Sequence, residues 1–263
     1  MIRCNDWPVG VCTWSLGNDF EKIDKLRTET GLGCIHLDIK AKMPKDIQSW
    51  QITATMISFP QEDYSTLEAI KATGGIVPEK HWEENKKSFL AAIAKTADLG
   101  VSYLSFHAGF LSDTDANQKT KFLDKIRFLA DAAAGKHVML LMETGQETAD
   151  ELRDFLEGID HPAVGVNFDP ANMILYNKDV PTEAVRILLP WIKHVHIKDA
   201  VRTQVPGQWG TEVPWSDGEV NAADFLDTLK EIGFKGVLAI EREAGNSRFE
   251  DIRLAVDRLK TSG

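Results

Sequence analysis

Four segments decide the architecture: MLLMETG (139–145), GVNFDPAN (165–172), HVHIKDA (194–200) and GVLAIERE (236–243). Each begins as a short apolar run and reaches one residue of a metal-binding type: Glu143, Asp169, His196 or Glu241. Short apolar runs bounded by turn formers read as fully buried strands. Side chains alternate along a strand. Glu143 therefore shares a face with Leu141 and Met139, Asp169 with Asn167 and Gly165, and Glu241 with Ala239 and Val237. Each acidic tip stands above small or mostly apolar side chains. A carboxylate in such a place is costly unless a metal, a cation or several hydrogen-bond donors meet it. One glutamate at a strand end is ordinarily a salt-bridge or loop-capping residue. Four ligand types at the same end of four strands suggest side chains meeting at one mouth of a barrel.

Working outward, the same alternation extends over the chain. VGVCTW (9–14), CIHLDI (34–39), ITATMISF (52–59) and VSYLSF (101–106) read as the first four strands, and VMLLM (138–142), VGVNF (164–168), IKHVHI (192–197) and GVLAI (236–240) as the last four. Helical spacing lies between them at Phe20, Ile23 and Leu26, at Phe89, Leu90, Ile93 and Ala97, and at Phe122, Ile126 and Leu129. Further helices are expected over 148–156, 182–189, 222–232 and 249–259. Eight strand–helix alternations in this length predict an α/β fold, a (β/α)8 TIM barrel, as one domain over 1–263. A doubly wound sheet is the runner-up, but the first strand is followed by TWSLGND, not by a glycine-rich dinucleotide loop.

Composition bounds the function. The chain has 263 residues, 43% of them hydrophobic, and a net charge of −10. Nucleic-acid binders usually carry a basic face, so the expected partner is a small molecule. Cys4, Cys12 and Cys34 are odd in number and lack metal-ligand spacing, as reduced cysteines of a cytoplasmic protein do. No run approaches the roughly 18 apolar residues of a membrane span, so no membrane partner is expected. A homo-oligomer stays open.

Three carboxylates and one imidazole form a hard, oxygen-rich set. It favours Mn²⁺ or Mg²⁺, with Co²⁺, Fe²⁺ or Zn²⁺ as alternatives. Around it, Trp14, His107, Glu147, Asn172, Lys198 and Arg202 are candidate substrate contacts. Glu147 has a second reading as a favourable charge at the start of the next helix. His194 lies a layer below His196 and reads as a hydrogen-bonded core histidine. Asp199 is placed to orient a ligand from outside, or to form a surface pair with Lys198. His36, His81, His137 and His161 have no ligand-like context. Two long connections, 60–83 and 198–220, would lie at the mouth. Their aromatics, Tyr64, Trp82, Trp209 and Trp215, either pack the loops down or wall a sugar ring. Arg202, Arg242 and Arg248 are available to an anion, although surface salt bridges are the ordinary role.

METGQE, NFDPAN, HVHIKDA and GFKGVLAIEREAG together resemble the sugar phosphate isomerase/epimerase superfamily. This is the xylose-isomerase-like TIM barrel, which includes ketose 3-epimerases, inosose dehydratases and endonuclease IV. The resemblance implies one divalent metal on Glu143, Asp169, His196 and Glu241. In the ketose epimerases the two glutamates exchange a proton across the sugar, so Glu143 and Glu241 would be the acid/base pair. The metal would polarise the carbonyl and stabilise an enediolate. The chain departs from the epimerase pattern at Asn172, where those enzymes carry histidine; an amide hydrogen-bonds but does not usefully accept a proton. The first expectation is an isomerase or epimerase of a ketose or related polyol ketone. The alternative is a lyase that dehydrates a keto-inositol or keto-sugar. An abasic-DNA endonuclease and a non-catalytic sugar-binding barrel stand behind these.

Overall fold

Eight parallel strands close on themselves. They are β1 (Trp7–Cys12), β2 (Cys34–Asp38), β3 (Gln51–Ile57), β4 (Tyr103–Phe106), β5 (Met139–Glu143), β6 (Val164–Phe168), β7 (Ile192–Ile197) and β8 (Val237–Ile240). Each pairs in parallel with the next, and β8 returns to β1 through Leu238 opposite Val9 and Ile240 opposite Val11. The barrel and its helices are those of a TIM barrel. The computed structural model describes residues 2–110 and 116–261. The expected domain span of 1–263 includes residues 1, 111–115, 262 and 263, which lie outside the described residues.

The helices are α1 (Phe20–Thr30), α2 (Leu67–Thr73), α3 (Trp82–Asp98), α4 (Ala116–Ala134), α5 (Ala149–Ile159), α6 (Pro170–Leu175), α7 (Pro181–Leu188), α8 (Ala222–Glu231) and α9 (Arg248–Thr261). Their starts follow from capping chemistry. The Asp19 side chain accepts from the Lys22 amide ahead of α1, and Thr148 and Glu151 form a reciprocal capping box ahead of α5. Aromatic side chains fill the layer between helices and barrel. Phe89 of α3 meets Phe106 of β4 at a centroid distance of 4.8 Å, and Phe168 of β6 meets Phe225 of α8 at 5.9 Å. Inside the barrel, a methyl on Gly165 would lie 3.0 Å from the Leu141 side chain and 3.1 Å from that of Met139. Gly165 therefore faces the apolar layer below Glu143, as strand alternation requires.

Several boundaries differ from the sequence expectation. The first strand stops at Cys12, because Thr13–Leu16 winds into a short 3-10 turn closed by Gly17 at φ 68°. Thr13 and Asn18 hold that turn through a 2.7 Å side-chain hydrogen bond. The turn lifts Trp14 out of the sheet. The fourth strand begins at Tyr103, two residues later than expected. The 60–83 connection contains α2, and 198–220 contains a hairpin of Asp199–Val201 against Thr211–Val213. No helix among the described residues is long and apolar enough to cross a membrane.

Candidate metal centre and mouth of the barrel

The four strand-end residues converge. Glu143, Asp169, His196 and Glu241 each place a ligand atom within 4.8 Å of the others, and all four are buried. Each is held by its own local structure. Glu143 ends β5 and receives the Asn167 amide on Oε2 at 3.2 Å and the Asn172 amide on Oε1 at 3.0 Å. Asp169 is the N-cap of α6, with Pro170 in the first turn. Its Oδ1 accepts from the Ala171 and Asn172 amides at 2.8 and 3.1 Å. That leaves Oδ2 buried with no hydrogen-bond partner, and the same is true of His196 Nδ1. These two atoms lie 3.7 Å apart. His196 Nδ1 is also 3.7 Å from Glu143 and 3.4 Å from Glu241. Buried polar atoms that lack hydrogen bonds and converge on carboxylates, with Lys198 only 3.5 Å from Asp169 Oδ2, fit a cation held among them. The donor set, three oxygen ligands and one imidazole nitrogen, suits a divalent metal ion.

The electrostatics of the two glutamates are opposed. Burial raises Glu143 above the ordinary carboxyl value, against the lowering effect of His107 and His196. Burial also works to raise Glu241, but Lys198 and His196 outweigh it and hold this carboxyl well below its ordinary value. Lys198 is 2.8 Å from Glu241, 2.9 Å from Glu243 and 3.5 Å from Asp169. Burial works to lower its pKa, yet these carboxylates hold it well above the usual lysine value.

Most of the expected substrate contacts come to this place. The Trp14 indole donates to Glu241 Oε1 at 2.6 Å. His107 Nε2 lies 3.7 Å from Glu143 Oε1. Asn172 and Lys198 touch the glutamates directly. Glu147 is buried just ahead of the Thr148 cap, so it is not part of the first turn of α5. Arg202 points elsewhere, bonding to Asn177, to the Asp179 carbonyl and to Glu219. Arg242 ties Glu212 to Asp251. Asp199 is neither in a surface pair nor an orienter of His196. It is fully buried and accepts four backbone N–H groups, from Ala200, Ser216, Gly218 and Val220.

A cavity of about 470 Å³ opens above the carboxylates, lined by Trp14, Asp38, Met56, Ser58, Tyr64, His107, Glu241 and Glu243. A larger hollow of about 760 Å³ lies at the opposite end of the barrel, around Trp7, Phe234 and Val237. The buried ligand types are absent from that hollow, and TIM-barrel chemistry resides at the C-terminal ends of the strands. The loop aromatics differ in their placement. Trp215 is core, 3% exposed, whereas Tyr64 lines the cavity. Sequence reasoning passed over Asp38, Ser58, Gln146 and Glu243. It also gave His36 no role at the site, although His36 Nδ1 lies 3.1 Å from His196 Nε2. His194 is a core histidine, as expected, between Asn167 at 3.0 Å and Thr53 at 3.1 Å.

Fold and site define a TIM barrel with an acidic, metal-type centre at its mouth. Residues 50–262 match the xylose isomerase-like TIM barrel family, and the chain belongs to that family. A xylose isomerase domain protein from Planctomyces limnophilus shares 27% identity, a TM-score of 0.86, and coverage of 97% of this chain and 96% of its own. A 3-dehydroshikimate dehydratase from Bacillus anthracis is 28% identical over 92 residues, 34% of this chain and 32% of the relative. An inosose dehydratase from Clostridium botulinum (strain Eklund 17B / Type B) is 26% identical over 146 residues, 49% of this chain and 48% of the relative. The chain thus spans about a third and about half of these curated relatives. An L-ribulose 3-epimerase shares the fold at 17% identity and a TM-score of 0.71, over 96% of this chain and 95% of its own. The family and its structural neighbours therefore include both dehydratases and epimerases.

Proposed function

We propose that the protein is a divalent-metal-dependent isomerase or epimerase that moves a proton beside the carbonyl of a ketose or related polyol ketone. One observation supports this best: two glutamates share one buried centre while their surroundings push them toward opposite protonation states. Pairs whose environments separate their pKa values are suited to acid and base roles. Glu143, Asp169, His196 and Glu241 would hold the ion. When bound, it supplies Lewis acidity toward the substrate carbonyl.

The remaining chemistry falls to the chain. Glu241, ionised beside Lys198, accepts the carbon-bound proton. The C–H electron pair becomes the C=C bond as the carbonyl pair moves onto oxygen. Glu143, an ionised ligand at rest, relays a proton from solvent to carbon, restoring the carbonyl. Asn172, fixed to Glu143 at 3.0 Å, orients that carboxyl and does not itself exchange protons. Trp14 and His107 are proposed to contact substrate from the cavity wall.

A second reading is a dehydratase, supported by the two curated relatives, which are both dehydratases. The same proton is removed, and the electron pair then expels a β-hydroxyl, which leaves as water after taking the acid's proton. Incubation of Mn²⁺-loaded protein with keto-sugars and keto-inositols in D₂O separates the readings. Deuterium at the carbon beside the carbonyl, with the hydroxyl count unchanged, supports isomerisation. Formation of an unsaturated ketone supports dehydration. Neither product from any probe, together with Glu143→Gln behaving as wild type, would sink both.

A further inference from the structure

His196 meets a second group of ligand types through its other nitrogen. Its Nε2 lies 3.6 Å from Cys12 Sγ and 3.1 Å from His36 Nδ1, and those two atoms are 4.0 Å apart. All three residues are fully buried. Cys12 and His36 stand opposite one another on β1 and β2, and His196 reaches them from β7. The spacing is that of ligands around one ion. With Zn–N bonds of about 2.0–2.1 Å and a Zn–S bond of about 2.3 Å, tetrahedral angles place two nitrogens about 3.3 Å apart and nitrogen about 3.6 Å from sulfur. A second observation concerns the His36 tautomer. Burial and the neighbouring His196 keep His36 neutral, its pKa lowered to about 3. Ser105 Oγ donates to the Thr55 carbonyl at 3.1 Å, so it accepts from His36 Nε2 at 2.8 Å. His36 therefore carries its proton on Nε2 and turns an Nδ1 lone pair toward Cys12 and His196. Ligating histidines are oriented in this way, through a hydrogen bond at the nitrogen that faces away from the ion.

We propose that Cys12, His36 and His196 form a second metal site, for a thiophilic divalent cation of the Zn²⁺ type, and that an ion bound there withdraws His196 from the carboxylate centre. The two sites differ in kind. One thiolate and two imidazoles are soft ligands, whereas three carboxylates are hard. Binding breaks the Cys12 S–H bond, the sulfur electron pair goes to the ion, and the proton is released to solvent. One thiolate leaves a divalent ion with an uncompensated positive charge, and the carboxylates on the other side of His196 supply the counter-charge. A neutral imidazole has one unprotonated nitrogen. With the ion on Nε2, the ring proton sits on Nδ1, 3.4 Å from Glu241 and 3.7 Å from Glu143 and Asp169, where it takes the place of a cation. His196 thus serves one site at a time. This competition rests on the reading of His196 as a ligand of the carboxylate centre; the thiophilic site itself does not. Trp14 lines the cavity above the centre and packs against both rings, edge-on to His36 at 4.9 Å and tilted to His196 at 6.0 Å. An ion entering from the cavity passes this indole.

Co²⁺ is the probe, because a thiolate ligand gives it a charge-transfer absorption in the near ultraviolet that carboxylate and imidazole ligands do not. Anaerobic titration of the metal-free protein with Co²⁺ should raise this band, and Zn²⁺ should erase it. Cys12→Ser and Cys12→Ala, shown to be folded by circular dichroism, should lack it, while Cys34→Ser keeps it. Saturating Mn²⁺ should raise the Co²⁺ concentration at half-maximal absorbance by at least about fivefold, a coupling of ordinary size between linked sites. Asp169→Asn weakens the carboxylate centre and keeps a residue suited to capping α6; it should retain the band and lose the effect of Mn²⁺. Absence of the band from both wild type and Asp169→Asn, or its persistence in both Cys12 variants, would overturn the second site. A band indifferent to Mn²⁺, in protein shown to bind Mn²⁺, would overturn the competition. Failure to bind Mn²⁺ at all counts against the proposed function and not against the thiophilic site, since the band is read on metal-free protein.

Discussion

His196 Nε2 lies 3.1 Å from His36 Nδ1. The other nitrogen of His196 faces the three carboxylates. Burial and the neighbouring His196 depress the His36 pKa to about 3, so His36 is neutral and one of its nitrogens accepts. His36 Nε2 is 2.8 Å from Ser105 Oγ, which donates onward to the Thr55 carbonyl at 3.1 Å. Asn167 Nδ2 is also 3.1 Å from His196 Nε2, but it is a donor and has an acceptor in Glu143. Cys12 Sγ lies farther off, at 3.6 Å, and is a weak acceptor, so His36 is the nearer and stronger acceptor for a His196 Nε2–H. When His196 gives up a proton, that arrangement keeps the remaining one on Nε2 and frees Nδ1 for a cation.

Replacing His36 by phenylalanine should keep the ring volume and remove this acceptor. Metal affinity is expected to fall by about 10- to 100-fold, the usual effect of losing a ligand's hydrogen-bond partner. Competition between the protein and a fluorescent chelator for Mn²⁺ measures it, with circular dichroism to establish that the variant is folded. Unchanged affinity would remove His36 from the site.

Metal binding should also be proton-linked. Burial raises the Glu143 pKa. For His196, burial works downward, but Cys12, Glu241 and Glu143 raise its pKa well above the ordinary 6.5. Both groups must be deprotonated to bind a cation. Affinity should therefore climb with pH through 6.5 and above, not level off near 4.5, the ordinary value for Glu143. Titrations in buffers of different ionisation enthalpy report the protons released. A pH-independent affinity between 5 and 8, with no proton release, would contradict the linkage.

The barrel was legible because its signals are local and repeated: apolar runs, helical spacing, and ligand types at strand ends. The four convergent residues were legible for the same reason. What escaped lay in side-chain direction and loop packing. His36 sits in the middle of a strand, and nothing in CIHLDI shows that its ring reaches His196 across the barrel. The register shift beside it, between Ile35 and His36, leaves no local mark in the sequence either. The sequence KDA suggests an exposed ion pair at Lys198 and Asp199. Both are buried, one among carboxylates contributed by distant strands and one among backbone amides of its own hairpin. Gln146 reads as an ordinary loop polar residue until its burial is known.

Glu147 should impose a pH-dependent cost on stability. Burial raises its pKa from 4.5 to about 7. In the unfolded chain the carboxyl ionises first, so the folded state loses relative stability as pH rises from 4.5 and bears the full cost above 7. The shift corresponds to about 3 kcal/mol, to the order of magnitude. Glu147→Gln should therefore unfold at a higher temperature than wild type at pH 8, while the difference fades toward pH 4. A difference that stays constant across that range would show that ionisation is not its source.

The hairpin over the mouth depends on one carboxylate. Asp199 Oδ1 accepts from Ala200 at 2.8 Å and Val220 at 3.0 Å, and Oδ2 accepts from Ser216 and Gly218, each at 3.0 Å. Hydrogen bonds from backbone amides to a charged acceptor are worth about 1.5–3 kcal/mol each when buried. Asp199→Asn keeps the shape but turns one acceptor into a donor facing amide hydrogens. Gly218→Ala attacks the same junction sterically, since its Cβ would lie 2.3 Å from Asp199 Oδ1. Both variants should release segment 199–220, which carries Trp209. Hydrogen exchange should quicken there by at least about tenfold while the β5 and β6 amides keep their protection. Mn²⁺ affinity should hold, because none of the four convergent residues belongs to the hairpin. Slow exchange across 199–220 in both variants would mean that the hairpin is held by its apolar contacts and not by Asp199.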